Sequence, residues 1–465
     1  MGGRRYLRLF QAGPWGDSLF VKEYGAGRRA LRQARSEFAA AAVARRAGAP
    51  AVRAWAALEA GGKAWLLCQD AGVDAALDRE RAWALCEPLA ESVAMFHAAR
   101  LLHGDLHVRN ALRASDGAVL WTDLRRLRRL RRGREEAASG ADLGHLLASL
   151  LPLPPRALLH FGRAYLQRLR GAAPAPPETK AWAAGAAAAG WKRFREHQCN
   201  LDRRARRQQR REQRGLHPQV WRQPALAAAA PELEAAAAAG HAPLKLGDRS
   251  SVVRVAGGGG PLVVKHFRRT KALDPRDALG RSKALRNLDA AERLLRRGFP
   301  AAQPLAAWSR PGAGSWLVLE DLPGHLPLHE AVLRVRGAQR AALLRELARL
   351  VRRLHLSGVA YRDLKPSNLL VDPERHDFIL VDHDRNRFLR RAVPPELARR
   401  DLAALHAGLP PEVRASERLR ALRAYDPRWS RREMWRAHVR PLLREAARRR
   451  HRWMPRRLLG GAPQP

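Results

Sequence analysis

Tyr361-Arg362-Asp363-Leu364-Lys365-Pro366-Ser367-Asn368 decides how this chain folds, because its polar frame also occurs 258 residues earlier, as His103-Gly104-Asp105-Leu106-His107-Val108-Arg109-Asn110. Asp105 and Asn110 keep the spacing of Asp363 and Asn368, and downstream Asp123 answers to Asp382 and Asp142 to Asp401, each 259 residues apart. Upstream, Leu19-Phe20-Val21-Lys22 answers to Leu262-Val263-Val264-Lys265. Polar positions that keep step across half a chain mark two tandem copies of one domain. A strand-borne Lys, then Asp-x4-Asn, then a strand ending in Asp is the order of a phosphoryl-transfer site.

In the second copy each residue type has a reason. Asp363 is placed to orient or deprotonate an attacking hydroxyl, and Asn368, five residues on, to hold a metal ion from the other end of the same short loop. Lys365 would neutralise charge on the transferred group. Phe378-Ile-Leu-Val-Asp382 is an apolar strand delivering a carboxylate at its tip, where Mg²⁺ bridging ATP phosphates needs a hard oxygen ligand. Lys265, ending a buried strand, would clamp the nucleotide phosphates. The loop Gly247–Ser251, with Ser250 and Ser251, could present backbone N–H groups to phosphate, although a plain hairpin turn fits it nearly as well. The Gly257–Gly260 run reads as a turn.

The first copy supplies Asp105 as the catalytic-type carboxylate, Asn110 and Asp123 as metal-type ligands, and Lys22 as the clamp. Glu37 is placed on a helix to pair with Lys22. The corresponding position of the second copy is Asn287, so that ion pair is absent there or replaced. Conversely, only five residues precede the first strand of the first copy, too few for a preceding strand and phosphate loop. His97 and His355 read as packed helix-end residues. Asp142 and Asp401, each followed by Leu, read as helix N-caps, a place from which an Asp can also hold the catalytic-loop backbone.

The fold class expected is α+β: two tandem protein-kinase-like domains, each a small antiparallel sheet lobe with a larger helical lobe. The first spans residues 1–215, an Ala-rich linker 216–240, and the second 241–465, ending in a basic helix. The second copy opens as an antiparallel meander with strands near Leu244–Leu246, Val252–Ala256 and Leu262–Lys265. Helices are expected over 28–46, 83–99, 281–297 and 338–356.

The net charge of +43 is extreme, and nine of the 87 basic residues are Lys, the rest Arg. Such a surface draws polyanions, and basic runs over 192–214 and 431–457 suit an anionic membrane face. The same charge arises as solvated surface in an arginine-rich proteome. A nucleic-acid reading rests on charge alone and lacks regularly interleaved aromatics. Three scattered cysteines suggest a reduced, cytoplasmic compartment. Neither an apolar run of about 18 residues nor an apolar signal core after Met1-Gly-Gly-Arg-Arg is present in the sequence.

From Asp382 to Asp401 there is no Ala-Pro-Glu element and no room for a peptide-docking segment, so the substrate expected is a small molecule or sugar-lipid. Val381-Asp-His-Asp-Arg-Asn-Arg387, Arg390-Arg-Ala-Val-Pro394 and Arg399-Arg-Asp-Leu-Ala-Ala-Leu405, with the helix from Asn287 to Gly298-Phe-Pro, resemble the lipopolysaccharide core kinases of the heptose and 3-deoxy-octulosonic acid type. The resemblance covers nearly all of 244–455 and, more weakly, 5–215. It implies ATP- and Mg²⁺-dependent phosphorylation of a sugar hydroxyl on a lipid-linked saccharide at the inner face of the cytoplasmic membrane. By it, Asp363 is the base, Asn368 and Asp382 the metal ligands and Lys265 the clamp, and the second copy is the better catalytic candidate. Two alternatives stay open: a pseudokinase or regulatory scaffold, and a small-molecule phosphotransferase of the aminoglycoside type, suggested by His103-Gly104-Asp105.

Overall fold

The structure is a computed structural model describing residues 6–9, 19–71, 76–130, 133, 135–212, 219–240, 242–247, 249–257, 260–268, 282–310 and 312–453. Residues 10–18, Asp248, 258–259 and 454–457, on which parts of the expected turns and basic runs fall, lie outside that set. The chain divides into two compact units, Met1–Phe194 and Arg195–Pro465.

In the first unit an antiparallel sheet forms from β1 (Tyr6–Leu9), β2 (Leu19–Ala26), β3 (Ala54–Ala60) and β4 (Lys63–Gln69), in the order β1-β2-β4-β3. Helix α1 (Arg28–Arg46) lies between β2 and β3 in sequence. The helix expected over 83–99 is two, α2 (Arg79–Ala84) and α3 (Cys86–Ala98), which meet at Leu85. The hairpin β5 (Ala111–Arg113) and β6 (Val119–Trp121) follows, then α4 (Glu135–Ser149), α5 (Pro155–Arg170) and the start of the long α6 (Pro176–Glu212), whose residues from Arg195 onward belong to the second unit. Leu89, Val93 and Phe96 recur at helical spacing on α3 and close the core against Trp121, Leu146, Phe161 and Tyr165.

The second unit carries a six-stranded antiparallel sheet: β7 (Val220–Trp221), β8 (Pro243–Lys245), β9 (Ser250–Gly257), β10 (Gly260–Arg268), β11 (Pro304–Arg310) and β12 (Gly314–Glu320), ordered β8-β9-β10-β12-β11-β7. Two short helices, α7 (Ala225–Ala228) and α8 (Ala230–Ala239), cover one face through Leu226, Ala230, Leu233 and Ala237. The stretch expected as linker, 216–240, thus supplies a strand and two helices to this unit. On the other face lies α9 (Lys283–Arg296), packed through Leu285 and Leu288 on Phe267, Ala307 and Leu317.

Period-2 alternation along β10 explains where its lysine sits. Leu262 and Val264 join the α8 side, while Lys265, opposite Leu317 in register, points to the α9 side. The helical part comprises α10 (Leu328–Arg334), α11 (Gly337–Leu356), the hairpin β13 (Leu369–Asp372) and β14 (Asp377–Leu380), α12 (Pro395–Ala407), α13 (Ala415–Tyr425) and α14 (Arg440–Trp453). Leu343, Leu344, Leu347, Leu350, Val351 and Leu354 form the buried stripe of α11. Each fully buried Leu of this kind stabilises the fold by about 1.5–3 kcal/mol.

Candidate functional site

In the second unit two acidic groups face two lysines. Lys265 Nζ lies 2.8 Å from Asp382 Oδ1, and Lys365 Nζ lies 3.3 Å from Asp363 Oδ2. Asn368 joins the pairs: its Nδ2 donates to the Asp363 carbonyl at 2.9 Å and lies 3.4 Å from Asp363 Oδ2. The Asn368 carbonyl accepts from Val381 N at 3.1 Å, one residue before Asp382. Lys265, which lies within β10 rather than ending it, is therefore gathered with Asp363, Lys365, Asn368 and Asp382 around the catalytic-type loop and the residues after β14.

Asn287, on α9, occupies the place where the first unit carries Glu37. Its Oδ1 accepts from His383 N at 2.9 Å and its Nδ2 approaches Asp382 Oδ1 at 3.4 Å. The lysine–glutamate pair is replaced by a direct lysine–aspartate pair braced by an amide. Burial pushes the Asp382 carboxyl up, but Lys265, Lys365 and Asn287 outweigh it and hold the group below the ordinary aspartate value. Asp384 goes the other way, raised by burial and by the Asp382 charge. Burial pushes the His383 imidazole down to about 4, which keeps it neutral at physiological pH.

The loop is held from beneath. Asp401, 1% exposed, accepts from Tyr361 N at 2.8 Å and Arg362 N at 2.7 Å. His355 reaches Asp401 Oδ2 at 3.3 Å and the Tyr425 hydroxyl at 2.8 Å. The first unit repeats the arrangement: Asp142 accepts from His103 N at 2.9 Å and Gly104 N at 3.0 Å, and His97 Nδ1 lies 2.7 Å from the Tyr165 hydroxyl. Asp142 and Asp401 sit inside α4 and α12, so the N-cap expectation is corrected. These carboxylates bond the neighbouring loop's backbone N–H groups instead of starting their own helices.

Backbone conformation at the acidic tips agrees in both units. Asp123 (φ 58°) and Asp382 (φ 67°) are left-handed, as are Gly104 (φ 75°) and Arg362 (φ 65°). A left-handed Asp costs of order 1 kcal/mol and persists only where its surroundings fix it. At Asp382 they do so through Asn287 on His383 N and the Tyr361 hydroxyl on the Val381 carbonyl.

In the first unit Lys22, 4% exposed, donates to both Glu37 oxygens at 2.9 Å and lies 3.6 Å from Asp123 Oδ1. The Tyr24 hydroxyl also donates to Glu37. Asn110 Nδ2 donates to the Asp105 carbonyl at 2.9 Å. The acidic pair here faces arginines: Arg125 Nε lies 3.1 Å from Asp123 Oδ1, and Arg126 lies 4.0 Å from Asp105 Oδ1, with His145 at 3.8 Å.

Of the phosphate-loop candidates, Gly247 lies on the β8–β9 connection, while Ser250 is the first residue of β9 and pairs with Phe267 of β10. Ser251 is fully buried and its hydroxyl donates to the Ala237 carbonyl of α8 at 3.1 Å, which directs it away from any open cleft.

Sequence reading missed two groups. Tyr165 and Tyr425, which cap the buried histidines, stand 260 residues apart and would have extended the repeat by one position. Asp202, near the end of α6, accepts from Arg293 at 3.0 and 2.9 Å and from Arg297 at 3.2 and 2.6 Å. Both arginines lie over the Phe388 ring, at 3.8 and 4.7 Å. The clamp therefore fixes α9, the helix that carries Asn287.

A family model described as "Lipopolysaccharide kinase (Kdo/WaaP) family" matches residues 263–438. The chain is 30% identical over 186 residues to the 3-deoxy-D-manno-octulosonic acid kinase of Xanthomonas campestris pv. campestris (strain B100), covering 36% of this chain and 72% of that protein. It is 31% identical over 150 residues to the enzyme of the same name from Xylella fastidiosa (strain M12), covering 30% of this chain and 57% of that one. Among solved structures, aminoglycoside-3'-phosphotransferase of type VIII aligns with a TM-score of 0.27 and 17% identity, over 40% of this chain and 93% of that one. Aminoglycoside phosphotransferase APH(3'')-Id from Streptomyces rimosus ATCC10970 aligns with a TM-score of 0.27 and 15% identity, over 39% and 91%.

Proposed function

This chain belongs to the lipopolysaccharide kinase (Kdo/WaaP) family, and from that premise we propose that its second unit phosphorylates a sugar hydroxyl of a lipid-linked core saccharide, using ATP and Mg²⁺. The acceptor that the two relatives' names point to is 3-deoxy-D-manno-octulosonic acid. The observation that carries the reading is the Lys265–Asp382 contact at 2.8 Å, set beside the Asp363–Asn368 loop.

The donor set suits a magnesium nucleotide. Asp382 and Asn368 offer one carboxylate and one amide oxygen, the sparse protein share Mg²⁺ takes when phosphates and water supply the rest. Among the described residues no cluster of three or more His, Cys, Asp or Glu forms a closed metal cage. When bound, the magnesium nucleotide would supply the phosphoryl group and partly neutralise its charge.

The chain's own residues do the rest. Asp363 accepts the proton of the acceptor hydroxyl as it attacks. Lys365, beside Asp363, offers its ammonium to charge developing on the equatorial oxygens. Lys265 leaves Asp382 to hold the nucleotide phosphates, while Asn287 keeps Asp382 aimed. Asp401 keeps the loop in register, and misplacement by 1 Å costs about a hundredfold in rate.

Within the same reading the chain is two tandem kinase-like units, and the second does the chemistry. In the first, Arg125 joins Lys22 at the Asp123 carboxylate, and Arg126 rather than a lysine approaches Asp105. The basic runs hold the enzyme at the inner, anionic face of the cytoplasmic membrane; among the described residues no helix is long and apolar enough to cross a membrane.

Mass spectrometry of core oligosaccharide tests the function. A deletion strain should lose one phosphate, which Asp105→Ala restores and Asp363→Ala does not. Unchanged oligosaccharide in the deletion strain removes the assignment.

A further inference from the structure

Helix α1 presents Arg29, Arg32, Gln33 and Ser36 at i, i+3, i+4 and i+7, one polar face of the helix. Opposite it, the 3₁₀ turn Leu124–Arg126 presents Arg125 and Arg126. These six residues line an open cavity of about 420 Å³, and no carboxylate is among them. Arg125 is held on its inner side by Asp123 at 3.1 Å, and Arg126 lies 4.0 Å from Asp105. Arg29 and Arg32 form no ion pair among the described residues, and both are exposed.

Four guanidinium groups converging from two elements repel one another, and the helix terminus adds to the field. Gly27, the residue before α1, provides no side-chain cap, and the first turn contains no acidic residue. The first turn of this 19-residue helix, which carries Arg29 of the cavity lining, therefore adds its uncapped positive end to the field of the arginines. The second unit differs: α9 is capped by Ser282, whose hydroxyl accepts from Leu285 N at 3.3 Å.

We propose that this cavity of the first unit is a binding site for a phosphate group, as inorganic polyphosphate or as the phosphate end of an ester, and that it needs no divalent metal. Planar guanidiniums match phosphate oxygens in bidentate fashion, and here they supply the positive charge that magnesium supplies elsewhere. A phosphate seated between α1 and the turn also joins the two elements that carry Glu37 and Asp123. The site lies apart from the groups assigned to phosphoryl transfer in the second unit, so neither claim stands or falls with the other.

The test is calorimetric titration of the full-length protein with pyrophosphate, and separately with ATP, in excess EDTA. Removing a charge-assisted contact weakens binding about tenfold or more, so Arg32→Ala/Arg126→Ala should lose at least that factor. Arg28→Ala/Arg35→Ala removes the same charge from exposed positions outside the cavity lining and should leave affinity within about twofold. If pyrophosphate binds as tightly as ATP, the phosphate group alone is the ligand; if ATP binds more tightly and the first double variant abolishes it, the ester is recognised too. No pyrophosphate or ATP binding in EDTA, or equal weakening by both double variants, would overturn the proposal, the second by assigning binding to diffuse net charge.

Discussion

Asp202 binds Arg297 through both carboxylate oxygens, Nη1 to Oδ1 at 3.2 Å and Nη2 to Oδ2 at 2.6 Å, and so ties the end of α6 to α9. Removing one partner of a buried pair leaves charge uncompensated and costs about 3–5 kcal/mol. Asp202→Asn should therefore expose the amides of Lys283–Arg296 to faster hydrogen exchange at pH 7. Equal protection in the variant would show that α9 does not depend on the clamp.

The same carboxyl sets a pH dependence. Burial raises the Asp202 pKa, but hydrogen bonds and charge from Arg297 and Arg293 outweigh it and hold it below the ordinary aspartate value. Above roughly pH 5 the group is ionised in both folded and unfolded chains, and its stabilisation is fully present. As pH falls below that value the unfolded chain takes the proton first, and the stabilisation is lost through the folded pKa. The exchange difference between wild type and Asp202→Asn should shrink below pH 4; a difference that grows there contradicts this sign.

Asn287→Ala strands the buried His383 N–H and removes a brace from Asp382. Leaving a buried donor unsatisfied costs about 1–3 kcal/mol. Initial rates should show kcat/KM reduced at least about tenfold, with KM for ATP raised. A variant with wild-type kinetics would mean that Lys265 alone positions Asp382.

Much of this was legible in the sequence because polar groups at fixed spacing announce themselves. The Asp-x4-Asn loop, the strand tip at Asp382 and the lysine on β10 needed only the repeat to find them. The 216–240 stretch escaped because alanine blurs apolar contrast: Leu226, Ala230, Leu233 and Ala237 follow a helical period, yet two of the four are too small to stand out. Asp202 escaped for a different reason. Its partners lie 91 and 95 residues away on another helix, within a chain where arginine is everywhere. Asp142 and Asp401 looked like caps because an N-cap and a mid-helix acceptor of distant N–H groups have the same local signature.

Gly104→Ala tests how tightly the first unit's loop is built. Gly104 has φ +75°, and an added Cβ would lie 2.4 Å from the Arg126 carbonyl. The substitution should destabilise the loop by about 1–3 kcal/mol, read as faster exchange around Asp105. Unchanged exchange would mean that the turn shifts freely.

Vesicle sedimentation checks the membrane claim. The protein should pellet with vesicles containing anionic lipid and not with neutral ones, and the binding should weaken from 50 to 500 mM salt as screening grows. Equal partition to both vesicles returns the basic runs to solvated surface.

The central claim, that Asp363 in the second unit accepts the acceptor's proton, is tested most directly by transfer of labelled γ-phosphate from ATP to a core saccharide bearing 3-deoxy-D-manno-octulosonic acid. The account predicts that Asp363→Asn lowers kcat by about 10²–10⁴, the usual contribution of a general base, while Asp105→Asn retains most of the rate. Wild-type turnover in Asp363→Asn, or loss of turnover on Asp105→Asn alone, would contradict it.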